Sequence, residues 1–196
     1  MRLLAPTYVA AVALVNLAHL LVGRPTASDM ALTPDRLAAG KVWLLATSAF
    51  LINGPVLPEL AGLALAVAAM QHLLGGRAFA LVAPASHVGA TLLGYALLLA
   101  TTGDPDASPH NHLDYGISAV WLGVLGALFV CCLPAARRRS RRAAAVVALA
   151  GLGGVIGVIA FAPLPATEHG LAFTLGALGA FVARGARDKA GAALGS

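Results

Sequence analysis

The chain has 196 residues, of which 59% are hydrophobic and only 11% charged. A soluble domain carries about a quarter charged residues and at this size cannot hide so much apolar surface from water, so a water-soluble globule is excluded. The formal net charge of +5 does not indicate nucleic acid, because the basic residues sit at the ends of long apolar stretches, where membrane topology explains them. No polar segment is long enough to fold by itself, so residues 1–196 read as one domain.

A membrane-crossing helix needs roughly 20 mostly apolar residues, and the chain offers such runs in order. Arg2 precedes an apolar stretch that ends at Val22. A secretory signal looks similar, but no small-residue cleavage site follows, so a first span is expected at about 6–22. A polar stretch follows with Asp29 and Asp35. The segment KVWLLATSAFLIN, 41–53, is apolar but too short to cross; it reads as interfacial or re-entrant, with Trp43 at the headgroups. A second span is expected at 57–74, a turn at Gly75, Gly76 and Arg77, and a third span at 78–100. After the polar loop GDPDASPHNHL comes a fourth span at 114–133, then a basic run of Arg137, Arg138, Arg139, Arg141 and Arg142. A fifth span is expected at 143–161, a tight turn at Pro163 and Pro165, and a sixth span at 166–182. The expectation is an all-α polytopic membrane protein built as a six-helix bundle.

The positive-inside rule orients it. With the N-terminus inside, ten of the thirteen Lys and Arg residues fall on the inner side, while Asp29, Asp35, Asp104, Asp106 and Glu168 fall outside. Both termini are then cytoplasmic and the location is the cell inner (plasma) membrane. Small residues recur inside the spans: Gly123 and Gly126 in the fourth, Gly151, Gly153, Gly154 and Gly157 in the fifth, Gly176 and Gly179 in the sixth. They let helix backbones approach closely in lipid, which predicts a tight bundle. Cys131 and Cys132 are neighbours with no metal spacing around them, and read as small apolar packing residues.

Ionisable side chains inside a span are costly and often functional; His19, His87, Asp114 and His169 stand out. Ser118 lies four residues beyond Asp114, roughly 6 Å deeper along a helix. His169 lies four residues beyond Pro165. Both spans run from outside to inside, so Ser118 and His169 are expected at similar depth below one face. A histidine at that place can take the serine proton as general base. Gly116 leaves room for a substrate backbone, and the first amides of the fourth helix are available to an oxyanion. The bland alternatives are a serine bonded to its own helix backbone and a histidine that meets headgroups. For His87 the choice is between an alternative oxyanion donor and a neutral imidazole bonded to a neighbouring carbonyl. His110 and His112, with Asp104 and Asp106, form only an H-x-H pattern in a loop; no metal and no cofactor is expected.

At these residues the sequence resembles the rhomboid family of intramembrane serine proteases, and most closely its divergent bacterial rhomboid-like members, over about 40–176. VWLLATSAF resembles the segment before the second span, LLGGRAF the turn between the second and third, and SHVGATLLG the third span of the divergent group. DYGISA resembles the GxSG serine motif, and EHGLAFTLG the histidine span. The resemblance implies Ser118 as nucleophile, His169 as general base, Gly116 as the first glycine of the motif, and the bilayer with a transmembrane substrate or partner helix as the partners. Two departures stand out. Ala119 replaces the second glycine, and the second span has NGPVLPELAG where active rhomboids place an HxxxN pair for the oxyanion. Asn53 begins that stretch. An intramembrane protease is one expectation; a catalytically inactive rhomboid-like protein that binds other membrane helices is the other.

Overall fold

The computed structural model describes residues 3–102, 116–140 and 163–194. The expected fifth span at 143–161, and Asp114, His110 and His112, lie outside the described residues. All regular elements among the described residues are helical. Helix α1, Leu4–Val22, is one apolar run ended by Gly23, which takes the left-handed conformation at φ 67° and donates its N–H to the His19 carbonyl, the usual glycine stop. Two short helices follow, α2 (Ala27–Met30) and α3 (Pro34–Ala38). Thr33 caps α3 by accepting the Arg36 amide, and Pro34 occupies its first position, where a missing N–H costs nothing. Next come α4 (Leu44–Thr47) and a single 3-10 turn, Ser48–Phe50. Helices α5 (Val56–Leu74) and α6 (Gly76–Thr102) are joined through Gly75 alone, at φ 85°. Helices α7 (Ile117–Arg139) and α8 (Pro163–Leu194) complete the described structure.

Among the described residues, four stretches are long and apolar enough to cross a membrane: Leu4–Val22, Val56–Leu74, Gly76–Leu97 and Ile117–Pro134. The outer faces of these stretches and of α8 carry exposed large apolar side chains, including Leu21, Leu65 and, in α8, Phe181, an arrangement costly in water and neutral in lipid. The sixth expected span appears as α8, which runs 32 residues and is not among those four. Pro163 and Pro165 do not form the expected tight turn. Both fall in the first turn of α8, where proline interrupts no intrahelical hydrogen bond, and the helix continues past residue 182 to Leu194.

The segment expected to be interfacial or re-entrant enters the bundle. Val42 and Trp43 are exposed, but Leu44, Ser48, Ala49, Leu51 and Ile52 are buried. Such backbone leaves polar groups that lipid cannot satisfy, and α1 supplies the partners. Asn16, fully buried, donates to the Phe50 carbonyl at 2.8 Å and accepts the Ile52 amide at 2.9 Å, while Tyr8 donates to the Ala49 carbonyl at 2.7 Å. Tyr8 also stacks edgewise on Phe50 and Phe79, tying α1 to α6. On the opposite side, α8 packs against α6 and α7. A Cβ on Gly176 would collide with the Gly123 backbone, and one on Gly126 with the Phe173 carbonyl, so α7 and α8 meet nearly backbone to backbone.

Between α1 and the buried segment, the Asp29 carboxylate accepts from the Thr26 hydroxyl and amide, with Arg24 at 3.5 Å. The Thr26 hydrogen bonds, assisted by Arg24 and Arg36, hold this exposed carboxyl below the usual aspartate range. A pKa lowered by folding adds stability above the unfolded value and loses it as pH falls through the folded one. Protection of the Thr26 and Asp29 amides from exchange is therefore expected to fall below about pH 4, and Asp29→Asn is expected to remove that pH dependence.

Replacing Asn16 with alanine strands a buried carbonyl and a buried amide. The expected loss is about 1–3 kcal/mol, read as a lowered unfolding midpoint in mild detergent, with Tyr8→Phe costing less.

Candidate active site

Ser118 is the second residue of α7, and His169 the seventh of α8. The glycine seam between the two helices lies one to two turns further along, at Gly123 and Gly176. That close approach draws the two helix starts together, and His169 Nε2 lies 2.7 Å from Ser118 Oγ. With the ring proton on Nδ1, Nε2 accepts the serine hydroxyl hydrogen, the arrangement a general base requires. His169 Nδ1 is buried and has no hydrogen-bond partner among the described residues, so within them no carboxylate orients the ring.

Both side chains line a partly open cavity of about 410 Å³. Pro55, Pro58 and Glu59 of the α5 entry form one wall; Ile117, Trp121, Leu122 and Leu125 of α7 form the other. The lining is largely apolar, with three polar side chains: Ser118, His169 and Glu59. A small number of convergent polar groups in an apolar pocket is the general form of a ligand site.

The other expected site residues are placed differently. Gly116 immediately precedes α7, and its carbonyl accepts the Val120 amide at 3.1 Å, the start of that helix's ladder. A Cβ on Gly116 would fall within the His87 ring, so His87 packs directly behind this turn. His87 Nε2 lies 3.1 Å from Ser48 Oγ, and His87 lines a separate apolar cavity of about 440 Å³ with Tyr8, Phe50 and Phe79. It supports the turn that carries Ser118 and is not among the residues lining the dyad cavity. Asn53 is exposed in the bend before α5 and does not line that cavity either.

Sequence reasoning passed over several residues. Glu59 and Trp121 face the dyad cavity; a charge inside the proline-flanked stretch NGPVLPELAG was the available signal for the first. Glu168, expected toward the outer side in the sixth span, is 6% exposed in α8, its side chain filling the space that Gly94 of α6 leaves open. Asn16 had no local signal at all, because its partners lie 34 and 36 residues away. Among the described residues no three His, Cys, Asp or Glu side chains converge as a metal site would require.

Compared with known proteins, the chain matches no family model, no curated protein and no solved structure.

Gly116→Ala is expected to overpack the His87 ring and cost about 1–3 kcal/mol. In a His87→Ala background, which opens that space, the added cost is expected to vanish. Thermal unfolding of the two single variants and the double variant measures this coupling.

Proposed function

We propose that this chain is a rhomboid-like intramembrane serine protease: a six-span bundle in the inner (plasma) membrane, with both termini cytoplasmic, that cleaves transmembrane substrates near the outer face. One observation carries the reading: Ser118 Oγ and His169 Nε2 at 2.7 Å, in a cavity at the entry ends of α7 and α8. The resemblance of DYGISA and EHGLAFTLG to the rhomboid serine and histidine motifs supports it, as does the bias of Lys and Arg toward one side.

In this mechanism Ser118 Oγ attacks the scissile carbonyl carbon while its proton passes to His169 Nε2. The tetrahedral intermediate collapses, the C–N bond breaks, and the same proton is returned to the leaving amine. Water, deprotonated by His169, then cleaves the acyl ester and restores the serine. The first-turn amides of α7 lie ahead of the Val120–Gly116 hydrogen bond and are available to the oxyanion. With no orienting acid beside Nδ1 among the described residues, the ring depends on packing for its alignment.

A second reading is favoured by the α5 entry. The dyad cavity receives two prolines and a glutamate from it, and Asn53 is exposed away from the lining. No side-chain oxyanion donor comes from α5, and loss of one such donor costs about 10²–10³ in rate. In this reading the chain is a silent rhomboid-like protein that binds other membrane helices.

A fluorophosphonate probe and a model transmembrane substrate distinguish the two. The protease reading expects labelling at Ser118 and cleavage, both reduced about 10³-fold or more in Ser118→Ala and His169→Ala. Equal labelling or cleavage by the wild type and Ser118→Ala would leave the second reading standing.

A further inference from the structure

Glu59 is the one charged side chain among the residues that line the dyad cavity. Its carboxylate lies against the Gly54 backbone, where a Cβ would overlap Oε1, so the bend before α5 helps hold it at the cavity wall. Glu59 is partly exposed, and its charge keeps contact with water. Trp121 of α7 lines the same cavity, its indole packed against Gly62 of α5. Leu122, Leu125 and Pro58 complete the apolar surface.

A lysine or arginine side chain needs this combination. Its aliphatic stem lies along apolar wall while the charged head seeks a polar partner, an aromatic face attracts the cation, and a carboxylate pairs with it. A neutral apolar side chain fills the same walls but leaves the carboxylate facing hydrocarbon, which is unfavourable. Resting on the protease reading of this cavity, we infer that Glu59 is a specificity-determining residue: the cavity takes substrates that present a cationic side chain beside the bond attacked by Ser118.

Trp121 makes the inference measurable without catalysis. The chain has two tryptophans, and Trp43 is 58% exposed, so Trp43→Phe leaves the cavity tryptophan as sole reporter. In that background, in nanodiscs of zwitterionic lipid, binding of an alkylammonium and of an alcohol of equal chain length is followed by Trp121 fluorescence. The expected result is a preference for the cation of about three- to tenfold. It is abolished in Glu59→Gln and weakened by salt. A cation preference equal in wild type and Glu59→Gln, or no preference in either, overturns the inference. Absence of fluorophosphonate labelling at Ser118 with the Glu59-dependent preference intact would instead remove the protease reading and keep the cation site.

Discussion

Backbone without an α-helical ladder inside a bilayer survives only where protein supplies its hydrogen bonds, and in this chain that requirement falls on the 3-10 turn Ser48–Phe50 and the two residues after it. Asn16 meets it by bonding both the Phe50 carbonyl and the Ile52 amide, and Tyr8 by bonding the Ala49 carbonyl. Once anchored, the segment presents Ser48 to His87, and His87 fills the space behind Gly116. Gly116 is the turn from which α7 begins, two residues before Ser118. A chain of contacts therefore runs from the first helix to the serine through a carboxamide, a hydroxyl, an imidazole and a glycine. Removal of any one of them is felt at the next.

The second support is the seam between α7 and α8. Association in lipid gains nothing from hiding apolar surface, so close backbone approach has to carry it. Gly123, Gly126 and Gly176 give that approach, and the depth match of Ser118 and His169 follows from it. A larger side chain at the seam would spread the helix ends by more than the hydrogen bond between them can stretch. The pair is thus a product of packing several residues away as much as of the two side chains themselves.

These features differ in how far the sequence discloses them. The apolar runs, the glycines in the later spans and the serine and histidine at equal depth are local patterns, readable from periodicity and spacing. The role of Asn16 is not, because an isolated asparagine in an apolar helix has the same sequence appearance whether it binds a distant backbone or its own. Glu168 is silent for a related reason: its place near the outer end of a span is local, but its enclosure depends on the space left by Gly94 on another helix. Asn53 looked suitable by its proximity in sequence to the second span, yet the bend before Pro55 exposes it. Pro163 and Pro165 resemble a turn, since proline marks turns and helix starts alike; the continuation of α8 decides between them.

The union of α5 and α6 through Gly75 alone bears on biogenesis. Nineteen and twenty-seven residues are joined with no tether that one helix could use to wait at the surface while the other partitions. The two enter the hydrocarbon together, as a hairpin. α6 carries Ser86 and His87 toward the interior, but their neighbours are Gly123 of α7 and Ser48 of the buried segment, so their cost of entry is met only when those segments join the hairpin.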